Sequence, residues 1–150
     1  MKKINIICAG KLKEKYFIDA IAEYQKRLSR YCDFKIVQLP DYADMADTVR
    51  KEGQHMLPYT SKDFCIALDS RGKTLTSEEL AATIDNAYIS NSQINFFIGG
   101  SNGLCDTIKS ASHLMLSFGR LTYPHQLMRV ILAEQIYRLF CINNCTPYHK

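Results

Sequence analysis

The sequence predicts an α/β protein, a mostly parallel sheet with helices on both faces. Three observations predict it. Short apolar runs of strand length alternate with longer segments of helical period along the whole chain. The runs are apolar nearly throughout, as in strands covered on both sides. Glycine or proline punctuates most of the boundaries.

The elements follow in order. Residues 4–9 read as a strand stopped by Gly10. Residues 14–30 read as a helix, with Phe17, Ile18, Ile21, Tyr24 and Leu28 near helical spacing. Residues 34–39 form a second strand, ended by Pro40. Residues 43–57 are expected as a helix that Pro58 stops. Residues 64–68 are a strand of the buried type. Thr76-Ser77-Glu78-Glu79 carries a capping signal and opens a helix to about residue 88. An apolar strand at 94–98 runs into Gly99-Gly100. A short helix at 104–110, a last strand at 113–118 and a long helix at 124–143 complete the chain. No linker, repeat or low-complexity stretch divides it, so residues 1–150 are expected to be one domain.

Composition narrows the function classes. No apolar run approaches the roughly 20 residues that span a bilayer. The basic start, Met1-Lys2-Lys3, precedes only a short apolar stretch broken by Asn5, which makes a strand and not a secretory signal. A cytoplasmic protein is the expectation. The net charge of +4 is compatible with RNA without demonstrating it. Its cations cluster at Lys2, Lys3, Lys11, Lys13 and Lys15, then at Lys26, Arg27 and Arg30. Cys8, Cys32, Cys65, Cys105, Cys141 and Cys145 include no C-x-x-C pair and read as reduced thiols; Cys141 and Cys145 lack the partners zinc would need.

In an open parallel sheet, ligands bind beyond the carboxyl ends of the strands. Three loops fall there: Leu68-Asp69-Ser70, residues 99–103 and residues 119–124. Glycine permits close backbone approach, and a helix opened by Pro124 leaves N–H groups free at its mouth. Loops of this kind fit tight turns as well as a cofactor cradle. There is no G-x-x-x-x-G-K-[ST], and Gly99-Gly100-x-x-Gly103 is not G-x-G-x-x-G, so neither a P-loop nor a dinucleotide fold is indicated.

His125 and Arg129 lie four apart and share a helix face just past the third loop. Arg129 could hold a phosphate or a uracil-like ring; His125 could do the same or cap the helix. Glu134 and Arg138 are placed for a helix salt bridge. Leu127, Val130, Ile131, Ile136, Tyr137 and Phe140 give the last helix a broader apolar face than one small sheet needs, which points to a homodimer. The tail Thr146-Pro147-Tyr148-His149-Lys150 combines an aromatic ring, an imidazole and a cation, groups that stack on bases and touch phosphate.

Several segments together resemble the SPOUT methyltransferases, the α/β knotted class. They are Lys3-Ile4-Asn5-Ile6-Ile7-Cys8-Ala9-Gly10-Lys11, Ala67-Leu68-Asp69-Ser70-Arg71-Gly72-Lys73, Phe97-Ile98-Gly99-Gly100-Ser101-Asn102-Gly103-Leu104, residues 121–138 and Pro147-Tyr148-His149. Within that class the chain is similar to the small family that methylates N3 of a pseudouridine in 23S rRNA of the large ribosomal subunit. The resemblance implies a C-terminal trefoil knot, S-adenosylmethionine as methyl donor, no metal, a homodimer, and the ribosome as partner. It assigns Leu68, Gly100, Gly119, Arg120, Leu121, Thr122, Tyr123 and Pro124 to the cofactor. It makes His125, Arg129, Tyr148 and His149 the candidates for catalysis, with the tail reaching the active site across the dimer. Lys11, Lys13, Lys15, Arg71 and Lys73 are candidate phosphate contacts. A binding module without transfer activity, and a methyltransferase of the same fold acting on tRNA or on ribose, are the competing expectations.

Overall fold

The computed structural model describes residues 1–43 and 46–150. Five strands, β1 (Lys3–Ala9), β2 (Asp33–Leu39), β3 (Phe64–Thr74), β4 (Gln93–Ile98) and β5 (Leu114–Ser117), form one sheet in the order β2-β1-β4-β3-β5. Every pairing is parallel. Among the described residues, four α-helices connect them, α1 (Lys15–Leu28), α2 (Thr48–Met56), α3 (Ser77–Ala87) and α4 (Asp106–Ala111), and α5 (His125–Asn143) follows β5.

The period of two along each strand divides the core between two faces. Ile4, Ile6 and Cys8 of β1 join Ile94, Phe96 and Ile98 of β4 in a cluster with residues of α1, α3 and α5. Ile7 and Ala9 turn the other way, with Phe97, Cys65 and Ala67, onto Met56 of α2 and Ile108 of α4. Cys8, Cys32, Cys65 and Cys141 are buried free thiols. Burial pushes Cys8 and Cys65 up to about 11 and Cys32 to about 12, which keeps them protonated and unreactive.

Two elements differ from the sequence expectation. The helix expected from residue 43 begins at Thr48; Ala46 and Asp47 are a turn, and Asp44 and Met45 lie outside the described residues. Pro58 tightens the chain into a 3-10 turn, Leu57–Thr60, rather than ending all helical structure. Strand β3 runs to Thr74 instead of residue 68, because its ladder with β5 breaks between Leu68 and Lys73 and then resumes with Lys73 and Thr74 opposite Leu116 and Ser117. The segment 69–72 thereby bows out at the sheet's carboxyl edge.

The α3 capping box forms as expected: Thr76 Oγ1 accepts from Glu79 N at 3.1 Å, and Glu79 accepts from Thr76 N. Among the described residues, no helix is long and apolar enough to cross a membrane.

Candidate functional site

Parallel strands present all their carboxyl ends at one edge, and a cavity of about 210 Å³ opens there. Leu68, Asp69 and Ser70 at the bow of β3, Gly99, Gly100 and Gly103 after β4, and Phe118, Gly119, Leu121, Thr122 and Tyr123 after β5 line it. Ile98, Leu116 and Met128 add apolar wall, and His125 closes one side.

Each loop is held by main chain. Gly100 and Gly103 pair across a tight turn, with Gly103 N donating to Gly100 O at 3.0 Å. A Cβ on Gly99 would collide with the Gly103 main chain, so the turn closes only around glycine. Gly119 sits at φ +106°, a conformation L side chains rarely adopt, and this reverses the chain out of β5. Ser117 pins that reversal: its buried hydroxyl accepts from Gly119 N at 3.0 Å and lies 3.0 Å from Ser70 O, tying the β3 bow to the β5 turn.

Asp69 is fixed from two sides. Its Oδ2 meets Lys109 Nζ of α4 at 2.9 Å, and Oδ1 accepts from Arg71 N at 2.9 Å. Those bonds hold its carboxyl below the usual carboxylate range. His125 is half-buried, and its Nδ1 has no hydrogen-bond partner among the described residues. Burial, then the nearby Arg129 charge, push its pKa down.

Arg129 is fully buried. Its Nη1 donates to Gly10 O at 2.9 Å and its Nη2 to Ala9 O at 2.7 Å. The guanidinium therefore grips the end of β1, whereas the sequence suggested a phosphate or a ring. Burial lowers its pKa from the ordinary arginine value.

Behind Gly100 and His125 lies a second, smaller cavity of about 60 Å³. Glu52 of α2 and Asp41 stand in its wall. Glu52 is 5% exposed and its Oε2 accepts from Tyr42 N at 3.3 Å. Desolvation raises its pKa.

The tail packs against α5 and α3 of its own chain. Tyr148 Oη donates to Glu134 Oε2 at 3.2 Å, and its ring lies under the Arg138 guanidinium. His149 bridges Arg138 Nη1 at 3.1 Å and Glu78 Oε1 at 2.6 Å. The expected Glu134–Arg138 salt bridge is present at 3.0 Å. Nine residues of helix separate His125 from Glu134, roughly 13 Å along the axis. Within this chain, Tyr148 and His149 thus sit against the middle of α5 and beyond, away from His125.

Of the residues assigned to a cofactor from sequence, Leu68, Gly100, Gly119, Leu121, Thr122 and Tyr123 line the main cavity, and Arg120 and Pro124 flank it in the same loop. Sequence reasoning missed Ile98, Leu116, Phe118 and Met128, whose hydrophobicity alone reads as core. It also missed Glu52, which belongs to no motif. Among the described residues, no group of three or more His, Cys, Asp or Glu is placed to hold a metal ion.

Comparison with known proteins places this arrangement. A family model described as Predicted SPOUT methyltransferase matches residues 1–149. The ribosomal RNA large subunit methyltransferase H of Streptococcus uberis is 49% identical over 158 residues, covering 99% of both chains. The protein of the same name from Lactobacillus delbrueckii subsp. bulgaricus is 47% identical over 157 residues, covering 98% of this chain and 99% of its own. Among solved structures, a probable methylase family protein from Haemophilus influenzae superposes with a TM-score of 0.61 at 12% identity, over 98% of this chain and 70% of its own. The tRNA (m1G37) methyltransferase from Aquifex aeolicus superposes at 0.55 with 10% identity, over 91% and 69%. Those two share the fold. With a family match along nearly its whole length and full-length relatives close to half identical, this chain belongs to the SPOUT methyltransferases.

Proposed function

We propose that this chain transfers a methyl group from S-adenosylmethionine to N3 of a pseudouridine in 23S rRNA, acting in the cytoplasm, as a homodimer, on the assembled large ribosomal subunit. The carrying observation is the carboxyl-edge cavity framed by Leu68, Gly100 and residues 119–123, in a chain whose full-length relatives are named as large-subunit rRNA methyltransferases. The C-terminal trefoil knot belongs to the same reading.

The cavity suits the donor. Gly103 and Gly119 both line it, and a Cβ at either would meet no atom within 4 Å, so their bareness keeps room for a ligand. Leu68, Phe118, Leu121 and Tyr123 supply apolar surface for a ring, and the turn backbones supply N–H and C=O groups for its edge. S-adenosylmethionine, when bound, supplies the electrophilic methyl group. The chain's own task is to align N3 with that methyl group and to favour loss of the N3 proton. His125 borders the cavity with its pKa lowered, so a neutral imidazole stands ready to accept a proton. Arg129 serves by holding the loop after β1 in place, one turn of helix behind His125.

Dimerisation is supported by α5. Leu127 and Ile131 of α5 are apolar yet only half-buried within the chain and belong to neither core cluster, an apolar stripe that a second copy would cover. Antiparallel pairing of two such helices would bring Tyr148 and His149 of the partner subunit towards His125. Exposed Lys11, Lys13, Arg71 and Lys73 offer phosphate contacts at the same edge.

The test is methyl transfer from labelled S-adenosylmethionine to ribosomes from cells lacking this protein, with naked rRNA and tRNA in parallel. Label on one large-subunit pseudouridine supports the proposal, and ribosome-only labelling locates specificity in assembled shape. Label on tRNA alone, or none despite donor binding, overturns it.

A further inference from the structure

The small cavity behind Gly100 holds a carboxylate that no cation among the described residues answers. Glu52 is almost fully buried, and only its Oε2 is hydrogen-bonded. Oε1 has no hydrogen-bond partner among the described residues and stands at the wall by Gly100, where an added Cβ would lie 3.1 Å from it. Asp41 stands at the exposed rim. Neither carboxylate makes an ion pair among the described residues. Arg129 lies close enough for Asp41 to influence it, yet its two terminal nitrogens are committed to Ala9 and Gly10. A buried carboxylate without a cation is costly, and such a cost persists where a ligand meets it.

Position and size narrow the ligand. Gly100 and His125 line both cavities, so the small one opens beside the main one. Roughly 10–15 Å³ of such space admits one water, so 60 Å³ admits a group of a few heavy atoms and not a nucleobase. The main cavity, about 210 Å³, falls below the ~300–1,000 Å³ of pockets that enclose a whole cofactor-sized ligand. It holds the nucleoside part and leaves the amino-acid arm to extend elsewhere. That arm ends in an ammonium group, a compact cation with three donors.

We propose that Glu52 and Asp41 form the seat of the α-ammonium group of the methyl donor, reached past Gly100 and His125. This rests on the donor reading of the main cavity but not on the identity of the methylated RNA. It makes α2, an element outside the three donor loops, part of cofactor recognition.

Calorimetric binding of two ligands by the full-length protein tests it. S-adenosylhomocysteine carries the amino-acid arm; 5′-methylthioadenosine lacks it. Glu52→Gln keeps the shape and an acceptor for Tyr42 N but removes the charge. It should weaken S-adenosylhomocysteine at least about tenfold, or ~1.4 kcal/mol, and leave 5′-methylthioadenosine within about twofold. Asp41→Asn should act in the same direction and less. In the wild-type protein, replacing the α-ammonium of S-adenosylhomocysteine by hydrogen should cost a similar factor, which decides the matter even where the Glu52 variant fails to fold. Equal effects of Glu52→Gln on both ligands, no effect on either, or wild-type indifference to the missing ammonium would overturn the seat. Failure of the wild type to bind either ligand would instead overturn the donor reading itself, and the seat with it.

Discussion

Arg129 shows how far a single side chain reaches in this molecule. It ties α5 to the end of β1 across 119 and 120 positions of sequence. Removing it leaves two buried carbonyls without donors, each worth ~1–3 kcal/mol. Arg129→Met should therefore lower stability by about 2–6 kcal/mol, read as a drop in the urea midpoint at unchanged slope. A midpoint within error of wild type would show that the two bonds contribute nothing. His125 predicts a pH dependence. Its pKa lies below the ordinary 6.5 through burial and the Arg129 and Lys13 charges. Between that lowered value and 6.5 the folded state binds fewer protons than the unfolded chain. The stability held at this site is complete above about pH 6.5 and is lost as pH falls through the window. Thermal unfolding between pH 7 and 5 should show a steeper acid loss for wild type than for His125→Gln, and parallel curves would refute it. Both residues were visible in sequence as an i,i+4 pair beside a loop. Spacing identified the face they share, but not that Arg129 points inward, because depth is set by β1, a partner more than a hundred residues away.

At the scale of elements, what was legible was whatever local chemistry decides. The Thr76–Glu79 box is such a case, and Thr76→Ala should destabilise by ~1 kcal/mol in denaturant titrations. No change would mean that α3 is held entirely by its packing. The turns at Gly99 and Gly119 were equally readable, since glycine answers a local need for close approach or positive φ. The length of β3 was not readable: residues 69–74 carry strand structure only because β5 lies beside them. The later start of α2 likewise escaped a reading based on hydrophobic period. Glu52 escaped for a related reason. An acid on an amphipathic helix ordinarily faces water, and the approach of Tyr42 and of the Gly100 turn encloses this one.

The whole molecule presents one crowded edge and one helix, α5, whose Leu127 and Ile131 are apolar, half-buried and outside the core clusters. Sedimentation should report the mass of two chains, and Leu127→Asp combined with Ile131→Asp, both at half-buried α5 positions, should shift it to one. The monomer should keep donor binding, because the main cavity is lined within one protomer, but lose methyl transfer if the tail acts in trans. A wild-type monomer with full activity would remove the dimer from the reading. Fold class was legible in outline from the alternation of strand and helix signals, whereas the strand order β2-β1-β4-β3-β5 was not, because alternation carries no record of which strands become neighbours. The meeting of Glu52, His125 and Gly100 was not, since three separate elements contribute to it.

The all-parallel order has a further consequence for how the protein is made. β5 enters the sheet beside β3 only after β4 has been laid on the opposite side, and α5 then locks onto β1 through Arg129. During synthesis, the strands that emerge first have one apolar face only partly covered, by α1 and α3, until residues 114–143 arrive. A nascent chain halted before that point lacks the cavity wall that follows β5 and the part of the cover over Ile4, Ile6 and Phe96 that α5 supplies. Ligand competence arrives late and all at once, so fragments left by stalled translation should be substrates for quality control rather than weak enzymes.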